Sequence, residues 1–172
     1  MNERKGVATF KGNPLTLLGP ELKVGDVAPD FTALANDLSP ATLADFKGKV
    51  LIVASVPSLD TAVCDIETRR FNTEAAALGD DIAILTLSMD LPFAQARWCG
   101  AAGVEAVKTL SDHKDASFGE GWGTLIQELR LLTRAVFVVD QKGTITYVQY
   151  LSEVTEEPDY EAALAAAKKL VG

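Results

Sequence analysis

Two apolar runs rich in Val and Ile stand out in the first half of the chain. The runs from Lys49 to Val56 and from Ile82 to Met89 are almost continuously hydrophobic, which is typical of strands covered on both faces. Two further strands are predicted at Ala135 to Val139 and Thr144 to Tyr150, joined by a turn at Asp140-Gln141-Lys142-Gly143. These four segments predict the centre of an α/β domain.

Helical segments are predicted between these strands. The first runs from about Val63 to Leu78, with apolar positions that include Ile66 and Phe71, and Gly79 follows where a C-terminal cap is expected. Pro92 opens a second helix, because proline suits the first helical position.

The remaining segments complete the topology. An N-terminal hairpin is predicted from Val7 to Phe10 and from Leu15 to Leu18. Short strands are predicted at Asp30 to Leu34 and at Val107 to Leu110. A helical turn is predicted at Leu43 to Phe46 and a last amphipathic helix at Pro158 to Val171. No assignment follows for Asp112 to Thr133. Parallel crossovers followed by an antiparallel hairpin predict a thioredoxin-like α/β fold. It has a mixed central sheet with helices on both faces and an N-terminal β-hairpin, in one domain over residues 1–172.

Composition narrows the function classes. The chain of 172 residues is 48% hydrophobic and 23% charged, which is ordinary for a globular domain. Its net charge of -8 argues against nucleic acid or an anionic membrane as partner. The apolar runs are far shorter than the roughly 18 residues that a membrane span needs. The charged N-terminus has no apolar run behind it, so we expect no signal peptide and a cytoplasmic location.

Only two cysteines, Cys64 and Cys99, and one histidine are present. They are too few for a disulfide scaffold or a zinc cage of these residues. A zinc site would need carboxylates to complete it. The sequence shows no visible site for a metal or an organic cofactor, and we expect neither. In a reducing cytoplasm the two cysteines are either inert core residues or redox groups.

The segment from Pro57 to Cys64 leaves the C-terminal end of a buried strand and enters a helix, which is where α/β sheets bind ligands. The free backbone N–H groups and the dipole of the first helical turn stabilise an anion such as a thiolate. Asp65 and Glu67 are expected to face solvent. The alternative for Cys64 is a small buried hydrophobe.

Pro57, Thr61 and Cys64 match the Pro-x-x-x-Thr-x-x-Cys motif of peroxiredoxins, and the full string Pro-Ser-Leu-Asp-Thr-Ala-Val-Cys resembles the thiol peroxidase subfamily, the atypical two-cysteine peroxiredoxins. Three further segments resemble that subfamily. Residues 90–100 resemble its resolving-cysteine segment, residues 134–140 its arginine-bearing strand, and residues 157–164 its C-terminal helix. One departure is Trp98, where the subfamily usually has Phe.

The resemblance implies a role for each matching residue. Cys64 would attack the distal peroxide oxygen and become a sulfenic acid, while Thr61 would hydrogen-bond the peroxide and the thiolate. Arg134 would stabilise the thiolate and the developing negative charge. Pro57 would shield the thiolate from water. Cys99 would resolve the sulfenic acid as an intramolecular disulfide. From residue type alone, Thr61 could instead be a helix cap, Arg134 a surface residue and Cys99 an inert thiol.

The resemblance also implies the activity and partners. The expected enzyme is an antioxidant peroxidase that reduces hydrogen peroxide and organic hydroperoxides, is recycled by thioredoxin and forms a homodimer. Exposed apolar residues around Trp98 or Trp122 would fit a dimer interface. A disulfide needs Cα atoms within about 4.4–6.8 Å, so we expect oxidation to unwind the turn around Cys64, the segment around Cys99, or both.

Other functions stay open at this point. The main alternative is a peroxide-sensing thiol/disulfide switch that acts through partner binding. A thiol–disulfide oxidoreductase is disfavoured because no Cys-x-x-Cys motif is present. A non-catalytic scaffold would require a Cys64 no more reactive than a free thiol.

Overall fold

The computed structural model describes residues 2–103 and 106–171. Within them the strands are β1 (Glu3–Phe10), β2 (Asn13–Leu18), β3 (Thr32–Leu34), β4 (Pro40–Thr42), β5 (Val50–Ser55), β6 (Ile82–Ser88), β7 (Val107–Ser111), β8 (Leu125–Ile126), β9 (Leu131–Leu132), β10 (Ala135–Val139) and β11 (Ile145–Tyr150). The helices are α1 (Ala62–Leu78), α2 (Pro92–Ala102), α3 (Ser117–Gly121) and α4 (Tyr160–Val171), with a short 3-10 helix at Leu43–Phe46. Every predicted strand and helix is present, although several ends differ.

The larger sheet has the strand order β11-β10-β5-β6-β7-β3-β4. Strands β5, β6 and β7 run parallel, whereas β10 runs antiparallel to β5 and β3 antiparallel to β7. The predicted mixed sheet is therefore confirmed. The C-terminal ends of β5 and β6 lie at one edge of the sheet, and the antiparallel β10 begins at the same edge.

Strand β5 is an interior strand of this sheet and is buried at all six positions. Its alternate side chains enter two separate cores, as the alternation of a strand requires. On one face Ile52 joins Phe71 of α1 and Leu164 of α4. On the other face Val53 joins Phe118 of α3. Helices thus cover both faces, which explains why the strand reads as a continuous apolar run.

A second sheet has the order β1-β2-β8-β9. Its first two strands form the predicted N-terminal hairpin, which turns at Lys11 and Gly12 with φ angles of 49° and 82°. Positive φ at both positions is the requirement of the tight hairpin turn whose twist matches the strands. Asn13 and Pro14, expected in the turn, instead begin β2.

Trp122 lies in the segment from Asp112 to Thr133, for which no helix or strand was predicted. Its indole is fully buried, with ring centroids 4.9 Å from Phe118 and 5.0 Å from Phe137. Trp122 is therefore a core residue and is not itself exposed to a partner.

The two helices that carry the cysteines both end at a glycine, which for α1 was predicted. Gly79 follows α1 with a φ of 79°, and Gly103 follows α2 in the left-handed conformation with a φ of 68°. The Gly103 N–H donates to the carbonyl of Cys99, so Cys99 lies in the last turn of α2. In residues 2–103 and 106–171, each helix is too short or too polar to span a bilayer.

Candidate active site

Cys64 lies in the first turn of α1, directly beyond the C-terminal end of β5. Thr61 caps this helix: its Oγ1 accepts the Cys64 N–H at 3.3 Å, and its hydroxyl donates to the Ser58 carbonyl at 3.1 Å. The Cys64 side chain is fully buried. It packs with Val56 and Leu59, and Trp98 contacts the same cluster. The N-terminal end of the helix dipole therefore faces the sulfur from within an apolar environment.

Arg134 brings a positive charge to this sulfur. It directly precedes β10, and Ala135 of β10 pairs with Ser55, the last residue of β5. This register carries Arg134 to the sheet edge that Cys64 occupies. The Arg134 Nη2 donates to the Cys64 Sγ at 3.0 Å, and the arginine is 1% exposed.

The guanidinium is fixed by two further partners. Its Nε donates to the carbonyl of Val154 at 2.8 Å, and its Nη1 donates to Glu67 Oε1 at 3.1 Å. Burial acts to lower the pKa of Arg134, but the net shift is upward because Glu67 and Cys64 favour the charged form. Arg134 is therefore a rigid, charged donor and not a surface residue.

Glu67 corrects one of the sequence predictions. We expected it to face solvent, yet it is fully buried. Cys64, Glu67, Thr68 and Phe71 form the inward side of α1, while Ile66, predicted as an apolar position of the helix, is 52% exposed. The spacing of three between Cys64 and Glu67 was the available signal, because such residues share one helix face.

The environment of Glu67 favours its protonated form. Burial raises the pKa of this carboxyl from 4.5 to about 7, and the nearby Arg134 only partly opposes the shift. Glu67 Oε2 has no hydrogen-bond partner among the described residues. A neutral Glu67 leaves the charge of Arg134 available to a Cys64 thiolate, whereas an ionised Glu67 competes for the same guanidinium.

Asp90 anchors the loop that precedes Cys64. Its carboxylate accepts the Ser58 hydroxyl at 2.7 Å, the Leu59 N–H at 2.8 Å and the Ser88 hydroxyl at 2.8 Å. The loop is thus tied to the end of β6 and the start of α2. Pro57 is buried at the beginning of this loop. No local sequence signal indicates this role of Asp90, because its partners meet only after β5 and β6 pair.

Asp65 is half-buried and forms an ion pair with Arg69, with an N–O distance of 3.0 Å. The expectation that it faces solvent therefore holds only in part.

Cys99 is a free thiol, as is Cys64. It is half-buried, and its Sγ lies 3.4 Å from Thr109 Oγ1, which in turn donates to Asn36 Oδ1 at 3.1 Å. The thiol lines a cavity of about 450 Å³ whose wall includes Asn36 and Thr109. Arg134 and Thr61 thus hydrogen-bond to Cys64 and Pro57 lies in the loop that precedes it, whereas Cys99 has different neighbours.

The chain matches the Redoxin family over residues 23–164. It is 64% identical over 160 residues to a thiol peroxidase of Halalkalibacterium halodurans, covering 93% of this chain and 96% of that protein. It is 61% identical over 163 residues to a thiol peroxidase of Bacillus subtilis, covering 95% and 97%. A crystal structure of a peroxiredoxin-like protein from Aquifex aeolicus superposes with a TM-score of 0.90 at 39% identity, covering 99% of both chains.

The burial of Glu67 predicts a pH-dependent stability. Because its pKa is raised from 4.5 to about 7, its contribution to stability is fully present below about pH 4.5 and is lost as the pH rises through about 7. Urea unfolding of the wild type and of Glu67→Gln at about pH 4 to about pH 8 measures this. We expect the free energy of unfolding of the wild type to fall by roughly 3 kcal/mol relative to the variant. Burial raises the pKa of Asp112 to about 6. Asp112 titrates in both proteins, so its contribution cancels in the difference between their free energies of unfolding. A difference independent of pH would contradict the prediction.

Proposed function

The chain belongs to the Redoxin family and, within it, to the thiol peroxidases, as the motif around Cys64 predicted, and from this premise we propose that it reduces hydrogen peroxide and organic hydroperoxides in antioxidant defence, with Cys64 as the nucleophile. The observation that carries the proposal is the bond of 3.0 Å from Arg134 Nη2 to Cys64 Sγ, at the positive end of α1. A buried thiol held by a buried cation at a helix N-terminus is suited to react as a thiolate.

In the first step the Cys64 thiolate attacks the distal oxygen of the peroxide. A sulfur–oxygen bond forms, the oxygen–oxygen bond breaks, and the leaving oxygen departs with the electron pair and takes a proton from water. The products are the Cys64 sulfenic acid and an alcohol or water. A guanidinium has five N–H groups, so Arg134 can donate to its present partners and still stabilise the leaving oxygen.

Any rate enhancement beyond the contribution of thiol ionisation must come from positioning and charge stabilisation. An ordinary thiol is about 3% ionised at pH 7, so complete ionisation can accelerate a reaction by only about 30-fold. The fixed position of Arg134 and the N–H groups of the first turn of α1 act on the transition state as well as the thiolate.

Thr61 and Pro57 complete the proposed site. The Thr61 oxygen accepts the Cys64 N–H in the helix cap, and its O–H donates to the Ser58 carbonyl. The O–H can turn from Ser58 toward a bound peroxide while the oxygen still caps α1. Pro57, buried after β5, would exclude water from the sulfur. Because Cys64 is fully buried, we infer that side chains of the loop from Pro57 to Thr61 move when peroxide enters.

The second step forms the disulfide. The Cys99 thiol attacks the sulfenic sulfur, the two sulfurs bond, and the sulfenic oxygen leaves as water. Both cysteines are in helical turns in the reduced form, so this step requires local unwinding near at least one of them. Two thiols of thioredoxin would then reduce the disulfide and become oxidised themselves. This cycle suits the cytoplasm, where thioredoxin is kept reduced.

The order of the chemistry is tested by mass. Reduced wild type, Cys64→Ser and Cys99→Ser receive one equivalent of hydrogen peroxide and are quenched within seconds for intact-mass analysis. We expect the wild type to lose the mass of two hydrogen atoms, Cys99→Ser to give a trapped sulfenic acid, and Cys64→Ser to show no fast change. A wild type that stays reduced would refute the peroxidase proposal. Rapid oxidation without multiple turnovers in the presence of thioredoxin, its reductase and NADPH would support a sensor instead.

The donors around Cys64 are tested by kinetics. We expect Arg134→Lys to slow sulfenic acid formation by about 100-fold or more, because an ammonium cannot reproduce the guanidinium geometry. Arg97→Lys on the exposed side of α2 is the matched control and should react like the wild type. Thr61→Val should slow the step by about tenfold, whereas Thr61→Ser keeps the hydroxyl and should stay within about twofold. Equal rates in Arg134→Lys and Arg97→Lys would contradict the role of Arg134.

A homodimer is also proposed. Exposed apolar side chains support it on α1 and at the start of α2, where Ile66 is 52%, Leu91 53% and Phe93 68% exposed. Sedimentation should give a wild-type dimer at micromolar concentration and a shift toward monomer in Phe93→Asp. Val27→Asp, at a residue 77% exposed elsewhere on the surface, should remain dimeric. A monomeric wild type would refute the dimer.

A further inference from the structure

A second polar cluster connects α1 and α2 beside the site already described. The Trp98 Nε1 donates to Asp65 Oδ1 at 3.1 Å, and Arg69 forms an ion pair with Asp65 at 3.0 Å. The Arg69 guanidinium lies 5.7 Å from the Trp98 ring centroid and donates through Nη1 to the carbonyl of Ala102 at 3.3 Å. We call these four residues the α1–α2 brace.

The brace joins the covalent neighbours of both cysteines. Asp65 directly follows Cys64, and Trp98 directly precedes Cys99. The indole also packs on the apolar cluster that contains Cys64. A movement of either cysteine segment large enough to bring the two sulfurs together therefore displaces one end of the hydrogen bond between Asp65 and Trp98.

The reduced form holds the two thiols on different partners. The Cys64 sulfur accepts from Arg134, while the Cys99 sulfur lies against Thr109. A disulfide requires Cα atoms within about 4.4–6.8 Å and a defined torsion about the sulfur–sulfur bond. Each contact of the brace stabilises the arrangement that must be left before this geometry forms.

We propose that the Asp65–Trp98 hydrogen bond, supported by Arg69, is a positioning contact that sets the rate at which Cys99 resolves the Cys64 sulfenic acid. The proposal rests on the function proposed above. Resolution converts the sulfenic acid and the Cys99 thiol into a disulfide and water. The competing reaction consumes a second peroxide, which oxidises the sulfenic acid to the sulfinic acid and leaves as alcohol or water. The brace therefore determines how long the sulfenic acid remains exposed to this second oxidation.

Two variants remove the contact in different ways. Trp98→Phe keeps an aromatic ring on the Cys64 cluster but has no N–H to donate. Asp65→Ala keeps the indole but removes its acceptor and the ion pair with Arg69. The control is Glu74→Ala, which breaks another ion pair of the i,i+4 type on α1, between Arg70 and Glu74 at 3.7 Å. Quenched flow with alkylation and intact-mass analysis gives the rate constants of sulfenic acid and disulfide formation separately.

We expect the ratio of disulfide formation to sulfenic acid formation to rise about three- to tenfold in Trp98→Phe and in Asp65→Ala, as the loss of one hydrogen bond of this kind allows. The fraction of sulfinic acid formed per turnover at fixed peroxide should fall by a similar factor. Glu74→Ala should match the wild type. An unchanged or lower ratio in both variants would overturn the proposal.

An equilibrium measurement separates this proposal from the peroxidase function. The Cys64–Cys99 disulfide is equilibrated against a dithiothreitol redox buffer, with no peroxide present. The equilibrium constant for disulfide formation should rise about three- to tenfold in both brace variants. If this equilibrium constant rises while the wild type fails to react with peroxide, the role of the brace is supported and the peroxidase function is refuted. If peroxide turnover is normal but neither the ratio of the two rate constants nor the equilibrium constant changes, only the proposed role of the brace is refuted.

Discussion

One buried guanidinium determines the organisation of this site. A cation in the protein interior is stable only where hydrogen-bonding and anionic partners replace its water. Arg134 has three such partners: the Cys64 sulfur, the Glu67 carboxyl and the Val154 carbonyl. Because these contacts exist in the resting structure, the proposed reaction would need little rearrangement of this charge. The same arrangement couples two acids to one cation, so the protonation of Glu67 changes what Arg134 can offer the sulfur.

The sheet supplies the neighbourhood that this cation needs. The parallel pairing of β5 with β6 brings the loop before Cys64 next to Asp90, and the antiparallel pairing of β5 with β10 brings Arg134 to the same edge. Helix α1 then starts at that edge with Thr61 as its cap. Residues separated by 70 positions in sequence thereby place a sulfur and a guanidinium 3.0 Å apart, without a dedicated binding loop.

The proposed chemistry makes opposing demands on α1. Peroxide reduction benefits from a rigid first turn, since the helix N-terminus and Arg134 must both face the sulfur. Disulfide formation requires that the turn, or the end of α2, give way. Asp90 fixes the loop before Cys64 through three hydrogen bonds to its carboxylate. The α1–α2 brace depends on one indole hydrogen bond and on an ion pair with the exposed Arg69, and exposed ion pairs are individually weak. The fold thus combines a firm anchor on one side of Cys64 with a weaker one on the other.

The sequence by itself determined the central strands, a helix from about Val63 to Leu78, the position of Cys64 at or next to its first turn, and the family. Hydrophobic runs, capping residues and a compact motif are local signals, and they survive in any tertiary context. Only the tertiary structure decided that Glu67 is buried, that Ile66 is exposed, that Trp122 is core and that Cys99 contacts Thr109. The orientation of α1 was ambiguous because polar and apolar residues are mixed around it. Which side faces inward depends on the partner, and here Arg134 from a distant strand stabilises a buried carboxyl that local rules assign to solvent.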